Sequence, residues 1–253
     1  MKLSATIITF NEETTIARAI SSVAFVDEII VIDSFSTDKT CTIAERMGAR
    51  VIKHKFEGHG KQKNIAASFC RNDWILNIDA DEEIDDTLQN AITKLFENDK
   101  FPNLKIFQLK RRTSFCGKWI YHGGWYPDFE KRLYNKNFAK WSEPKVHEEL
   151  LGRTGEDIGN LEGQINHYSF PTAKSQINTN VKYAFWGAKE LLKRNKSKPP
   201  LYKLFLKPPI KFLECYAFKL GFLDGLSGLI IAINASYSIF MKYLFAYMDN
   251  LDD

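Results

Sequence analysis

The sequence predicts an α/β fold with a mostly parallel sheet and flanking helices, followed by a basic amphipathic helical segment at the carboxyl end. Three observations support this. Short apolar runs alternate with helical segments through the first 112 residues, which is the pattern of βαβ units. Polar clusters follow several of those runs, where strands would end. After residue 173, lysines are interleaved with apolar and aromatic residues at near-helical spacing.

The alternation can be followed in order along the chain. The predicted strands are LSATIITF, EIIVIDS, ARVIKHKF, DWILNIDADE and LKIFQLKRR, and the predicted helices between them are TTIARAISSVA, TDKTCTIAERMG, GKQKNIAASFC and DDTLQNAITKLF. Gly48 falls where a glycine would end the second helix. This regular spacing predicts a single α/β sheet.

Composition narrows the class of protein. The chain has 253 residues, 44% hydrophobic and 26% charged, which is globular. The apolar run at the amino terminus is too short for a secretory signal. The four cysteines are scattered without CxxC spacing, so neither a zinc site nor a disulfide framework is expected, and a reducing cytosol fits best.

Polar residues cluster at the predicted strand ends, and parallel strands bring such ends to one edge, where ligands bind. The clusters are Thr9, Asn11 and Glu12 after the first strand, Asp33, Ser34, Ser36 and Asp38 after the second, and Asp79 and Asp81 after the fourth. The first strand end contains no glycine, which excludes a GxGxxG dinucleotide motif, and GHGKQK does not fit a P-loop. A phosphate bound here would therefore be neutralised by a metal held on carboxylates.

Asp79 and Asp81 form a DxD motif within the acidic stretch NIDADEEI. Such a motif could hold Mg²⁺ or Mn²⁺ bridging a diphosphate. The alternative is a helix amino terminus, where acidic residues favour the helix dipole. The other two polar clusters on the same edge favour the metal.

Four segments in fixed order, IITFNEE, IIVIDSFSTDKT, GKQKN and ILNIDADEE, resemble the nucleotide-binding half of family 2 glycosyltransferases with the GT-A fold. The resemblance implies a UDP-sugar donor and a role for each matching residue. Thr9, Asn11 and Glu12 would border the nucleoside, Asp33 would hydrogen-bond the base, Lys61 and Lys63 would lie near base or phosphate, and Asp79 and Asp81 would be the DxD with Asp81 the direct metal ligand.

The resemblance extends to EPKVHEELL and INHYSF. Many family members have an acidic pair whose second member is the base, and Glu148 occupies that place, with Glu149 as the fallback. An inverting transfer is a single displacement, so one carboxylate must take the proton of the acceptor hydroxyl. A late histidine completes the metal shell in many GT-A enzymes, which implies this role for His167. A structural role for His167 and a solvated helix start at Glu148 are the alternatives.

The intervening segment CGKWIYHGGWYPDFEKRLYNK is rich in aromatic residues. Trp119, Trp125 and Tyr126 could face sugar rings, although an aromatic cluster beneath a loop is more typical. Arg132 could contact a phosphate, although a lone arginine is more often part of a surface ion pair.

Charge is distributed unevenly. Residues 174–219 contain eleven lysines or arginines against two glutamates, a local charge of +9 in a chain whose net charge is +4, so the remainder carries −5. The uncharged run 225–241 is short and polar for a spanning helix, so an interfacial helix with lysines on anionic lipid fits better. A helical subdomain packed on the sheet is the alternative. Nucleic-acid binding is not expected, because no recognised motif accompanies the charge.

The segments VHE, HYSF and KLGFLDGLSGLIIA narrow the resemblance to bacterial enzymes that add hexose, typically glucose from UDP-glucose, to the heptose of the lipopolysaccharide inner core. This implies a lipid-linked saccharide acceptor and a peripheral location on the cytoplasmic face of the inner membrane. The alternatives are another lipid-linked or capsular glycan acceptor, or a catalytically inactive membrane scaffold. The expected domains are a catalytic domain, 1–170, with halves 1–100 and 101–170, and a helical membrane-associating region, 171–253.

Overall fold

The structure, a computed structural model, describes residues 2–97, 104–143, 148–152, 158–195 and 197–248. The chain divides into two compact units. The first comprises Met1–Arg111 and Asp128–His167, and the second comprises Arg112–Pro127 and Tyr168–Asp253. The expected domain boundary at residue 170 lies close to the later of these divisions. The sequence did not indicate that 112–127 groups with the carboxyl-terminal helices.

Strands and helices alternate as predicted through the first half of the chain. The strands are β1 (Leu3–Thr9), β2 (Glu28–Asp33), β3 (Arg50–Lys53), β4 (Trp74–Asp79), β5 (Glu82–Ile84), β6 (Ile106–Phe115), β7 (Lys118–Trp119), β8 (Asp128–Asn135), β9 (Ala139–Trp141), β10 (Leu150–Gly152) and β11 (Ile158–Phe170). The helices are α1 (Ile16–Ser22), α2 (Thr40–Arg46), α3 (His59–Ser68), α4 (Asp86–Glu97), α5 (Ala173–Asn195), α6 (Tyr202–Leu213) and α7 (Gly225–Met248). The nine predicted elements are thereby confirmed, and Gly48 follows α2 with a φ of 85°.

The main sheet has a parallel half and an antiparallel half. Its strand order is β3-β2-β1-β4-β8-β6-β11-β5, with β7 paired to β6. The four strands β3, β2, β1 and β4 are parallel. Strand β8 runs antiparallel to both β4 and β6, and β5 runs antiparallel to β11. Strands β9 and β10 form a separate two-stranded sheet.

Each face of the parallel half is buried beneath helices, which explains why its strands are continuously apolar. One core contains Leu3, Ala5 and Ile7 of β1 with residues of α1 and α4, including Ile20 and Leu88. A second core joins residues of β2 and β4 to α3 and to Trp141 of β9. This packing fixes the strand ends at one edge.

The second unit holds an aromatic loop against helical residues of the same unit. Asp224 accepts hydrogen bonds from the backbone nitrogen of His122 at 2.8 Å and from its ring Nδ1 at 3.1 Å. Gly123 N donates to Lys219 O at 2.8 Å. Trp125 packs edge-on against Phe115. These contacts explain why residues 112–127 belong to this unit, and they fit the interpretation of an aromatic cluster.

Helix α7 is longer than the uncharged run suggested, because it continues past Lys242. Residues Gly221–Met248 form a stretch of 28 residues that contains an 18-residue window with a mean hydropathy of 1.5, so by length and composition it could cross a membrane. Its polar side chains contact neighbouring helices: Asn234 Nδ2 donates to Gln176 Oε1 of α5 at 2.5 Å, and Ser236 Oγ donates to Pro208 O of α6 at 2.8 Å.

Candidate active site

The polar strand ends meet at one edge, as the sequence predicts. In the parallel register, Thr9 lies opposite Asp33, and Ile8 lies opposite Asp79. The ends of β1, β2 and β4 are therefore level with one another. This edge is where ligands bind in open α/β sheets.

The loops after β1 and β2 hydrogen-bond to each other. Asn11 N donates to Ser36 Oγ at 2.8 Å, and Asn11 Oδ1 accepts from Thr37 N at 2.8 Å. Glu12 N donates to Thr40 Oγ1 at 2.8 Å. Asn11 has a φ of 55°, in the left-handed region that asparagine tolerates better than most residues. The two predicted nucleoside-bordering segments thus form one surface.

Asp33 is fully buried at the base of that surface. Its Oδ2 accepts a hydrogen bond from Ser36 N at 2.9 Å, and its Oδ1 accepts a very short one from Ser36 Oγ. The carboxylate therefore shapes the loop after β2 in this conformation.

Glu12 points toward other acidic groups. Its Oε2 accepts a hydrogen bond from Thr15 Oγ1 at 2.6 Å. Burial raises the pKa of Glu12, the Thr15 hydrogen bond lowers it, and the charges of Asp81 and Asp38 raise it further, so the balance is upward. Like charges at this edge repel one another, so a cation bound there would be stabilised.

Asp79 is held by two cations of the protein. Its Oδ2 pairs with the guanidinium of Arg132 at 3.0 Å, and its Oδ1 lies 3.9 Å from Lys63 Nζ. Burial raises the pKa of Asp79, but the charges of Arg132 and Lys63 outweigh it and hold the pKa far below its usual range. Asp79 is therefore ionised and fixed in place.

Arg132 forms an ion pair, as one interpretation from the sequence suggests, but the pair is buried rather than at the surface. Its guanidinium contacts protein groups instead of lying open to a phosphate. Its side chain is 2% exposed and also pairs with the buried Glu82 at 2.8 Å and with Asn77 Oδ1 at 3.1 Å. The antiparallel register of β4 and β8, which pairs Leu76 with Leu133, brings these groups together. Arg132 thereby anchors the first aspartate of the DxD motif.

Replacing Arg132 with Met is expected to lower the free energy of unfolding by about 3 to 5 kcal/mol, because it leaves Asp79 and Glu82 buried without their cation. Urea unfolding measures the change. Lys110→Met, at an exposed position on the neighbouring strand β6, is the control and should stay within about 0.5 kcal/mol of the wild type. Equal stability of the two variants would contradict the anchoring role.

Asp81 and His167 form the second pair of the site. Asp81 lies in the turn between β4 and β5, and β11 pairs His167 directly with Glu82. Asp81 Oδ2 is 3.2 Å from His167 Nε2. Burial lowers the pKa of His167, but the hydrogen bond to Asp81 and its charge outweigh burial and raise the pKa. The structure thus joins two predicted ligands that are far apart in sequence.

Asp81 and His167 lie side by side as two candidate ligands at the strand-end edge. In this conformation they are joined by a hydrogen bond, so a divalent ion bound by both would take the place of the proton between Asp81 Oδ2 and His167 Nε2. Within the described ranges, which omit 144–147 and 153–157, no group of three or more His, Cys, Asp or Glu side chains could hold a metal. Mg²⁺ is commonly bound by one or two carboxylates together with substrate phosphates, and Asp81 supplies one such carboxylate.

Two polar atoms at the same edge are buried and have no hydrogen-bond partner among the described residues. They are Thr9 Oγ1, at the end of β1, and Asp79 Oδ1, at the end of β4. Such atoms are rare in folded proteins, since each costs about 1 to 3 kcal/mol. Ionised Asp79 Oδ1 can only accept, so a hydrogen-bond donor or a cation would satisfy it, whereas the hydroxyl of Thr9 can donate or accept.

Lys63 connects the DxD motif to the predicted base. The Lys63 side chain is 4% exposed, and its Nζ lies 3.0 Å from Glu148 Oε1 and 4.3 Å from the centre of the Trp141 ring. Burial raises the pKa of Glu148, whereas the charge and hydrogen bond of Lys63 lower it more strongly, so Glu148 is ionised at neutral pH. Its neighbour Glu149 is 65% exposed and pairs with Lys131 at 3.0 Å.

Lys61 points elsewhere. Its side chain on α3 is 43% exposed and pairs with Glu57 one turn away. Of the two predicted lysines, the structure places only Lys63 against other predicted site residues.

The sequence did not identify Glu82, Arg111 or Asn77 as parts of this site, and it considered Arg132 only as a possible phosphate contact or a surface ion pair. Arg111 pairs with Asp128 at 2.6 Å and with Glu82 at 3.4 Å. Arg132 directly precedes Leu133 and Tyr134, and an arginine buried among such residues needs an acidic partner. Its partners could not be chosen without the strand register.

Comparison with known proteins identifies the family. The chain belongs to glycosyl transferase family 2, whose profile matches residues 4–149. It is 35% identical over 251 residues to an uncharacterised glycosyltransferase of Rickettsia typhi, covering 95% of this chain and 85% of the relative. It is 27% identical to the lipopolysaccharide core biosynthesis glycosyltransferase LpsC of Rhizobium meliloti, covering 100% of this chain and 97% of that protein. The predicted family resemblance and GT-A fold are confirmed.

Solved structures with partial likeness include glucosyl-3-phosphoglycerate synthase from Mycobacterium tuberculosis in complex with Mn²⁺, uridine diphosphate and glucosyl-3-phosphoglycerate. The identity is 25%, the TM-score is 0.37, and the match covers 44% of each chain. A mycobacterial protein matches with 18% identity and a TM-score of 0.49, covering 72% of each chain.

Proposed function

We propose that this glycosyltransferase transfers a hexose, glucose in the first instance, from a UDP-sugar to the heptose of a lipopolysaccharide inner-core acceptor, with inversion. The observation that carries the proposal is the Asp81–His167 pair, 3.2 Å apart, at the same strand-end edge as the unsatisfied oxygens of Thr9 and Asp79. An edge with ion ligands and unsatisfied polar atoms suits a metal-bound nucleotide diphosphate.

Asp81 and His167 are the proposed ligands of Mg²⁺ or Mn²⁺, with Asp81 the anionic one. Asp79, paired with Arg132, lies beside them as the first carboxylate of the DxD motif and orients the turn that carries Asp81. Bound between these residues and the diphosphate, the ion would neutralise the negative charge that develops on the leaving group.

The donor nucleoside is proposed to lie along the joined loops after β1 and β2. Thr9 offers its unsatisfied hydroxyl, Asn11 and Glu12 border the nucleoside, and Asp33 maintains the loop against which the base binds. Lys63 supplies positive charge beside the diphosphate, and Lys61 lies further out on the same helix.

Glu148 is the proposed general base. An ionised carboxylate can accept the proton of the acceptor hydroxyl as that hydroxyl attacks the anomeric carbon. In this structure Lys63 holds Glu148 in place by a 3.0 Å ion pair. Glu149, largely exposed and paired with Lys131, is less suited to the role.

The acceptor proposal is supported by the likeness to LpsC, which extends over the whole chain. A lipid-linked acceptor requires the enzyme to work at a membrane surface. We therefore place it on the cytoplasmic face of a bacterial inner membrane, with the basic segment 174–219 in residues 171–253 facing anionic lipid.

Transfer of radiolabelled glucose from UDP-glucose to purified core acceptors tests the proposal. An acceptor ending in the inner-core heptose should be labelled in the presence of Mn²⁺, and a matched acceptor that lacks this heptose should not. Equal labelling of both, or of a capsular glycan alone, would assign a different acceptor. No transfer and no hydrolysis of any UDP-sugar would identify an inactive scaffold.

A further inference from the structure

Helix α6 has two opposed faces, and only one of them is buried. Leu204 and Pro208 lie on the inner face, where Pro208 O accepts the hydrogen bond of Ser236 in α7. The outward residues recur with the periodicity of an amphipathic α-helix, so they lie along one side of α6 as a stripe. We call this stripe the outer α6 face; it consists of Tyr202, Phe205, Leu206, Ile210 and Leu213.

All five side chains of the outer α6 face are exposed. Phe205 is 63% exposed, Ile210 is 57% exposed, and the least exposed, Leu213, is still 51% exposed. Single exposed apolar residues are ordinary in soluble proteins, whereas a contiguous exposed apolar patch marks an interaction site. The next residues of the chain continue the pattern, since Phe218 is 81% exposed.

Lysines follow one edge of the outer α6 face. Lys203, Lys207 and Lys211 recur every fourth residue, which places them in a row between the apolar stripe and the buried side of the helix. Glu214 is the single acidic residue between positions 197 and 223 of the sequence, and it pairs with Lys211 at 3.0 Å. A row of lysines bordering an apolar stripe is the arrangement of helices that lie in a membrane interface.

A second protein surface or a second copy of this chain would need acidic groups to match the lysine row. An anionic leaflet offers both acidic headgroups and an apolar interior, and lysine side chains can extend to the headgroups while their stems pack on apolar surface. The polar contacts of α7 with α5 and α6 also favour attachment by a surface helix over a span formed by α7 alone.

We propose that the outer α6 face inserts into the interfacial region of an anionic bilayer, with the lysine row on the headgroups. This inference specifies which surface of the protein attaches to the membrane, and it rests on the membrane location given under the proposed function. Apolar insertion makes a contribution that salt does not screen, so attachment should weaken in high salt without being lost.

Co-sedimentation of the full chain with vesicles of phosphatidylethanolamine and phosphatidylglycerol tests this inference. The triple variant Phe205→Ser, Leu206→Ser, Ile210→Ser should bind at least about a hundredfold more weakly, at low and high salt alike. The matched triple variant Lys203→Gln, Lys207→Gln, Lys211→Gln should lose mainly the part of vesicle binding that depends on salt concentration. Both variants should keep the wild-type melting temperature. Phe205, Leu206, Ile210 and Lys207 are exposed and Lys203 and Lys211 are half-buried. Glu214 keeps its ion pair with Lys219 when Lys211 is replaced.

Three results would overturn the inference. The intact chain could fail to bind the vesicles, or the apolar triple variant could bind them as the wild type does. Alternatively, the triple variant could dissociate a dimer in analytical ultracentrifugation with vesicle binding unchanged, which would make the face an interface between copies. Transfer to a soluble heptose acceptor separates the two proposals, because it should survive the triple variant whatever becomes of membrane binding.

Discussion

Asp81→Asn is expected to reduce sugar transfer by about a thousandfold, because it would remove the proposed charged ligand of an ion that would supply several kcal/mol to departure of the diphosphate. The fold should be retained. Asp81 contacts His167 at the site's surface and takes no part in the buried Arg132 network. Initial rates with saturating Mn²⁺ measure the effect, and Mn²⁺ binding followed by electron paramagnetic resonance measures its cause.

The matched control is Asp86→Asn, an exposed acid in the first turn of α4 in the same acidic stretch. This variant should transfer sugar and bind Mn²⁺ as the wild type does. Near-normal turnover of Asp81→Asn with added Mn²⁺ would show that the DxD assignment is wrong.

Glu148→Gln is expected to lower kcat by about 10² to 10⁴-fold while the affinity for UDP stays constant. The amide keeps the size of the side chain but accepts no proton, so it removes an interaction used in the transition state. It also removes the negative charge that pairs with the buried Lys63, which keeps Asp79 at 3.9 Å as a charged neighbour. Steady-state kinetics measure kcat, and a separate titration with UDP measures the affinity for the nucleotide.

Glu149→Gln provides the comparison one residue away. The pair of Glu149 with Lys131 is largely exposed, and such pairs contribute little, so this variant should keep its activity and its stability. A silent Glu148→Gln beside an inactive Glu149→Gln would place the base at the neighbouring residue.

The parallel half of the fold could be predicted from the sequence because local periodicity and strand-end chemistry point to the same arrangement. Thr9, Asp33 and Asp79 end the first, second and fourth apolar runs, and parallel strands must bring such ends to one edge. The antiparallel half of the sheet was harder to predict from the sequence. Its pairings join β5 with β11 and β4 with β8, and no local pattern specifies partners so far apart in sequence.

The ion pairs of the site depend on the pairing of β8 with β4 and of β11 with β5. Arg132 reaches Asp79 and Glu82 because β8 lies beside β4, and His167 reaches Asp81 because β11 lies beside β5. The sequence predicted Asp81, His167 and Glu148 through a family resemblance. It could not predict that Lys63 would pair with Glu148 or that Asp79 would be held by an arginine.

The exposed face of helix α6 was also not predictable from the sequence. Its apolar and basic residues indicated an amphipathic helix near lipid, but a helical period does not tell which apolar stripe faces the core. In the structure Leu204 and Pro208 face inward, which leaves Phe205 and Ile210 outward. The lysines that dominated the sequence-based interpretation border this surface rather than form it.

Thermal unfolding of the wild-type chain with UDP, in the presence of Mn²⁺ and of a chelator, tests the central claim most directly. A ligand that binds only the native state stabilises it by mass action. The account predicts that UDP and Mn²⁺ together raise the melting temperature by several degrees, whereas either alone has little effect, and that Asp81→Asn loses the joint effect. An equal rise with UDP in the presence of chelator, or no rise with both, would contradict a metal-bound nucleotide at Asp81 and His167.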